Sequence, residues 1–338
     1  MANSQSIFNG TDLTSKIRGL LGPSFASTIP ENSGILSTDG FSSPSLSYSA
    51  AQKAVCVTGY LDVPVQATTT EILYDGPTNN TQLTSLLISL FALDSTVAGG
   101  LIGGTKSLSD TYTIYSKLCV PTNATVESIK TVQFLTHGGT TDQTYWDFAP
   151  DYSYVDAAAA RGYATSSDFT ALALTGHSGF QGGVPVCIAS QASQIANTID
   201  LPQFSGLANG YITQSSTPQA IQFAFFHHPG YDESILEKQL ATRQTNALGE
   251  TFTLGAAYAP AAGFTGPVII LNGNEDWSFC QGNCNAQDIT STFLPYFFPN
   301  ASPKSTIYTI ANTGHNVNLH YSASESFGVL LDFLEDTA

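Results

Sequence analysis

Two apolar runs near the carboxyl end restrict this chain more than any other feature. Gly266-Pro267-Val268-Ile269-Ile270-Leu271-Asn272-Gly273 reads as a strand, and Ile307-Tyr308-Thr309-Ile310 as another. Continuous apolar character belongs to strands covered on both faces, as in parallel sheets. The first run leads into Asn274-Glu275-Asp276 and the second into Asn312-Thr313-Gly314-His315. His315 follows Asp276 by 39 residues, room for one helix and one strand. An acid after one strand and a histidine after the next is the acid-to-base half of the order Ser…Asp…His.

The rest of the text supports a sheet with crossovers. Residues 51–75 and 111–120 have strand character, and 128–135 reads as a further strand ending at Thr136-His137-Gly138-Gly139. Residues 83–93, 151–160, 233–247 and 324–335 read as helices. Short strands are expected at 163–165 and 170–175. Strands alternating with helices argue for a mainly parallel sheet. The glycine-rich run 99–106 lacks the Gly-Lys-Ser/Thr ending of a phosphate loop and reads as a turn. Residues 1–50 are rich in Ser, Gly, Pro and Asn and read as a loop-rich arm.

Composition narrows the partners. Ten Lys and Arg stand against 26 Asp and Glu, for a net charge of −16. That field repels nucleic acid and anionic membranes. No apolar run reaches the ~18 residues of a membrane-spanning helix. Sequons at Asn9, Asn79, Asn123 and Asn300, together with five cysteines, favour the secretory route. Cys280 and Cys284 are close enough for a local disulfide, and an odd count leaves one thiol over. The first residues lack the apolar core of a signal peptide, so a leader has been removed or the reading is incomplete there.

Several residues carry candidate chemistry. Asp276 would orient a histidine, with Glu275 as its rival. His315 would be the general base, with His320 as its rival. The glycines of His137-Gly138-Gly139 would let backbone N–H groups of Gly138 and Gly139 approach a substrate oxygen as an oxyanion hole. Only Gly176-His177-Ser178-Gly179-Phe180 resembles the nucleophile turn Gly-X-Ser-X-Gly, which makes Ser178 the candidate nucleophile. Phe180 stands where the second glycine belongs. The strands at 163–165 and 170–175 are also only about four residues apart, too few for a parallel crossover. His227-His228 would point to opposite faces of a strand and make a poor metal pair. No metal and no organic cofactor is expected.

The runs Val132-Gln133-Phe134-Leu135-Thr136-His137-Gly138-Gly139, Tyr145-Trp146-Asp147 and Tyr152-Ser153-Tyr154-Val155-Asp156 resemble secreted fungal α/β-hydrolases of the esterase and lipase-like kind. So do Phe264-Thr265-Gly266-Pro267-Val268, Asp276 with Phe279, Cys280 and Cys284, and Asn312 through His320. The likeness spans roughly residues 110–335. It implies an α/β-hydrolase-like fold: a mainly parallel sheet with a helical cap over the site. It also implies carboxylic ester hydrolysis by Ser-His-Asp chemistry on a small-molecule ester. One departure is large. After Ser167 the text jumps to Asp168-Phe169-Thr170-Ala171-Leu172, which resembles the strand after the nucleophile unit. A block on the order of fifty residues is missing, so the sheet is expected to be incomplete there. The expected organisation is an arm at 1–50, core at 51–185, cap at 186–262 and core again at 263–338. A non-catalytic secreted relative is the alternative. The oligomeric state is open.

Overall fold

The strand Val268–Gly273 is buried at every residue. It lies between Leu172–Thr175 and Thr306–Ile310, both parallel to it. The computed structural model describes residues 36–337 apart from 126–127, 130, 165–169, 181, 255–257 and 287–290. In chain order its strands are β1 Ser42–Tyr48, β2 Ala54–Ile72, β3 Ile102–Pro121, β4 Leu172–Thr175, β5 Gln194–Ile195, β6 Tyr211–Thr213, β7 Asn246–Ala247, β8 Val268–Gly273 and β9 Thr306–Ile310. The helices used below are α1 Asn80–Leu90, α2 Val97–Leu101, α3 Tyr154–Ala160, α4 Val184–Ser190, α5 Pro218–Phe225, α6 Glu233–Thr242, α7 Leu248–Thr253, α8 Trp277–Cys280, α9 Phe293–Phe297 and α10 Ala323–Thr337.

These strands form three separate three-stranded sheets, not one mainly parallel sheet. β1-β2-β3 and β5-β6-β7 are antiparallel, and only β4-β8-β9 is parallel. The expected α/β-hydrolase-like sheet is therefore corrected, and its physical reason is local. β2 and β3 pair with each other along nearly their whole length, so neither serves as a neighbour in a parallel sheet. The segments expected as strands at 128–135 and 163–165 meet only in one parallel bridge, Val132 to Ala164. Ala164 and β4 are too close in sequence for a crossover, and β4 pairs with β8 alone. The junction at Ser167–Phe169 lies outside the described residues, as do residues 1–35 with Asn9. The remainder of the expected arm includes β1. Segment 186–262 holds three short strands besides α5, α6 and α7, so it is not purely helical. The glycine-rich run 99–106 ends α2 and opens β3 instead of forming a turn.

Packing follows from side-chain spacing. α10 buries Ala323, Phe327, Leu330 and Leu331, a stripe at helical spacing. That stripe meets Ile269 and Leu271 of β8 together with Ile310 and Val317. Val268 and Ile270 point the other way, against Phe293 and Phe297 of α9. A central strand with apolar cover on both faces is the arrangement its sequence requires.

Two buried carboxylates join the antiparallel sheet to α3. Ser153 caps the helix by accepting from Asp156 N. Asp156 then accepts from Ser49 Oγ at 2.5 Å, Ala51 N at 2.6 Å and Lys53 N at 2.9 Å. Asp147 accepts from Ala50 N, Ser153 Oγ and Lys117 Nζ. A disulfide links Cys56 and Cys119 at directly opposed positions of β2 and β3, and a second links Cys280 and Cys284. Cys187 is left over, buried, with its thiol pushed up to about 11 chiefly by burial. No described helix is long and apolar enough to cross a membrane.

Removing the Asp156 carboxylate strands three donors, two of them backbone N–H groups. Asp156→Ala is expected to lower the stability by about 3 kcal/mol in urea unfolding. Arg161→Ala breaks the exposed pair with Asp332 and is expected to cost under ~1 kcal/mol in the same assay.

Candidate active site

Parallel pairing decides where the candidate loops lie. β4, β8 and β9 run the same way, so the segments leaving their carboxyl ends start at one rim. Those segments begin with Gly176, Asn274 and Ala311. Asn274 N donates to Ile310 O at 2.7 Å and Gly176 N to Leu271 O at 3.0 Å, which ties the three exits together.

Asp276 is the N-cap of α8, with Oδ1 accepting from Phe279 N at 3.0 Å. The carboxylate is fully buried. Its Oδ2 lies 2.9 Å from His315 Nδ1. With the hydrogen on Nδ1 directed at the carboxylate, the lone pair is left on Nε2, the tautomer a general base needs. The His315 side chain is 21 % exposed, so solvent reaches the imidazole while the carboxylate behind it stays dry. Phe225 and Phe279 flank the ring with centroids at 5.7 and 5.5 Å. Below it runs the Gly176 backbone at φ +57°, where an added Cβ would lie 2.9 Å from His315 O and 3.0 Å from its ring. Only glycine supplies both that conformation and that clearance.

The two rivals are used otherwise. Glu275 accepts from Thr313 N at 3.0 Å and from Asn274 Nδ2 at 3.1 Å, holding the backbone of the His315 loop and not its ring. His320 is fully buried, and both its ring nitrogens are committed. Nδ1 donates to Asn316 O at 2.9 Å, and Nε2 accepts from His227 N and Gly314 N, each at 3.0 Å. Burial, the largest cause, pushes its pKa down to about 4, while the Asn316 carbonyl acts in the opposite direction. His320 therefore pins the loop that carries His315 to the segment after α5.

Ser178 is buried at 1 % exposure. Its hydroxyl donates to Phe279 O at 2.8 Å and accepts from Phe180 N at 3.2 Å. Its hydrogen bonds thus fasten the Gly176–Phe180 turn to α8, and none runs to His315. His177, next to it, is held at both main-chain groups by Asn272, through Oδ1 at 2.7 Å and Nδ2 at 2.9 Å. The His177 ring sits among Tyr258, Phe279 and Phe293. Burial and then the nearby His315 hold its pKa below the usual imidazole value.

Gly138 and Gly139 are exposed. Gly138 O accepts from Thr141 Oγ1 at 2.9 Å, and Gly139 packs on the Asn246 side chain, whose Oδ1 accepts from Thr140 N. Their contacts are with that loop and with β7, not with Asp276 or His315. A surface hollow of about 450 Å³ is lined by Gln52, Lys53, Pro121, Asn123 and Gly162 and includes neither dyad residue. Among the described residues no group of His, Cys, Asp and Glu has the spacing to hold a metal ion.

The sequence reading gave no role beside His315 to Asn272, Phe225 or Phe279. Asn272 had a signal: it is the lone polar side chain ending the run Val268-Ile269-Ile270-Leu271, and a buried amide needs partners. The placement of the two phenylalanines against His315 had none, because flanking a ring across sequence distances of this size leaves no local pattern. No protein-family model matches this chain, and no curated protein matches it.

His320 makes stability depend on pH. Its folded pKa lies below its unfolded one, so its contribution is complete above pH ~6.5 and is lost as pH falls toward 4, by about 3 kcal/mol in all. Melting curves at pH 7, 5.5 and 4 are expected to show His320→Gln less stable than the parent at pH 7, with the difference shrinking toward pH 4.

Proposed function

We propose that this chain is a secreted protein of serine-hydrolase type that keeps the acid–base pair of carboxylic ester hydrolysis and presents no serine to it. Asp276 orients His315, and His315 is the proton acceptor. The observation that carries this reading is the pairing of commitments at one rim. His315 Nδ1 is bound to Asp276, while the Ser178 hydroxyl is bound to Phe279 O and buried.

Ester cleavage by this machinery needs a hydroxyl oxygen to attack the carbonyl carbon. The hydroxyl proton passes to His315 Nε2, and backbone N–H groups hold the oxyanion that forms. Ser178 could take the first role only by leaving Phe279 O, breaking with Phe180 and turning toward the imidazole. Gly138 and Gly139 hold contacts with Thr141 and Asn246 and no hydrogen bond to the dyad. The non-catalytic form of the reading asks for no rearrangement of Ser178. Secretion is part of the proposal and is supported by the two disulfides and by the exposure of Asn79, Asn123 and Asn300.

A fluorophosphonate probe with peptide mapping tests this directly. The folded chain is expected to remain unlabelled at Ser178. A stoichiometric adduct at Ser178 that disappears in His315→Ala and Asp276→Ala would overturn the proposal and make the chain a working hydrolase.

A further inference from the structure

The middle of the β2–β3 ribbon departs from the sheet at its base. β1 accompanies β2 only as far as Tyr60, and from Leu61 onward two strands run without a third, out to Ile72 opposite Ile102. A two-stranded ribbon alone is marginal in water. Register sorts its side chains onto two faces. One face carries Asp62, Gln66 and Thr68 opposite Thr113, Ser109 and Ser107. The other carries Leu61, Val63 and Ala67 opposite Ile114, Tyr112 and Leu108. This second face continues the one whose buried Val55, Val57 and Val120 form a core cluster at the base. Along the ribbon that cover ends: Val63 is 40 % exposed, Tyr112 38 % and Ile114 47 %.

We propose that this face docks a second copy of the chain, ribbon against ribbon, about a two-fold axis beside Leu108. Two features favour a copy of itself over another partner. The first is charge. At −16 two copies repel each other over most of their surface, so contact requires a patch that is nearly neutral. Along the ribbon this face carries Lys106 and Asp110, placed two positions to either side of Leu108 on the same strand, and a second acid, Glu71, at its far end. A two-fold axis across the strand at Leu108 reverses its direction. It sets Lys106 of each copy over Asp110 of the other, giving two reciprocal ion pairs from one contact. The second is size. The face is roughly 40 Å long and 10 Å wide, so the pair buries on the order of 1,000 Å². That is the lower end of specific interfaces.

Sedimentation velocity of the full chain from ~1 to ~100 µM tests the proposal, with circular dichroism checking that each variant folds. The parent is expected to pass from monomer to dimer over this range. Lys106→Asp or Asp110→Lys alone is expected to weaken the dimer at least about tenfold, and the paired exchange to restore it to within about threefold. Ala67→Lys with Leu108→Lys, which sets like charges against each other at the axis, is expected to abolish it. A chain that stays monomeric throughout overturns the proposal, as does a dimer indifferent to both the charge exchange and the lysine pair. Capture of the parent monomer by phosphatidylcholine vesicles, lost in the lysine pair, would assign the face to lipid instead. If the lysine pair fails to fold, the charge exchange, made at exposed positions, decides alone.

Discussion

A strand buried on both faces between two parallel partners is the constraint on which the candidate site depends. Val268–Gly273 has no polar side chain until Asn272, so it can exist only with cover on both sides. α10 supplies that cover on one side and α9 on the other. Because β4 and β9 both run parallel to it, three loops leave at one rim. An acid 39 residues before a histidine meets it there through a hydrogen bond.

The buried polar groups around that rim are mostly partnered, as such groups require, the side-chain oxygens of Asn274 and Asn318 excepted. Glu275 holds the Thr313 backbone, His320 holds Gly314 and His227, and Asn272 holds His177 on both sides. These bonds position the imidazole of His315 without using it. Ser178 belongs to the same set. Its hydroxyl is one of the fasteners, joining the turn after β4 to the helix that Asp276 caps.

Much of this was legible one residue at a time. The strand at 267–272, the strand at 305–310 and the terminal helix follow from apolar runs and helical spacing, which local backbone sterics and side-chain direction dictate. The local disulfide Cys280–Cys284 was legible from proximity in sequence, whereas Cys56–Cys119 depends on the register of two strands far apart in the chain. Asp276 ahead of Glu275 was read from its place after the strand. Its capping of Phe279 N shows why the second acid, and not the first, faces the ring. The antiparallel pairing of β2 with β3 was not legible. Both strand segments were recognised, but alternation within a strand does not state its neighbour or its direction. The same blindness produced the expectation of one mainly parallel sheet.

What the amino-acid sequence by itself determined is therefore the kind and order of parts: two apolar strands, an acid after one, a histidine after the other, and too few residues between 163–165 and 170–175 for a crossover. Tertiary structure decided how those parts were used. It sorted the strands into three small sheets, committed His320 and Ser178 to backbone partners, and left His315 partly exposed with a carboxylate on one nitrogen. The reason is that hydrogen-bond saturation of a buried group is a property of everything packed around it. No span of residues read in order contains that information.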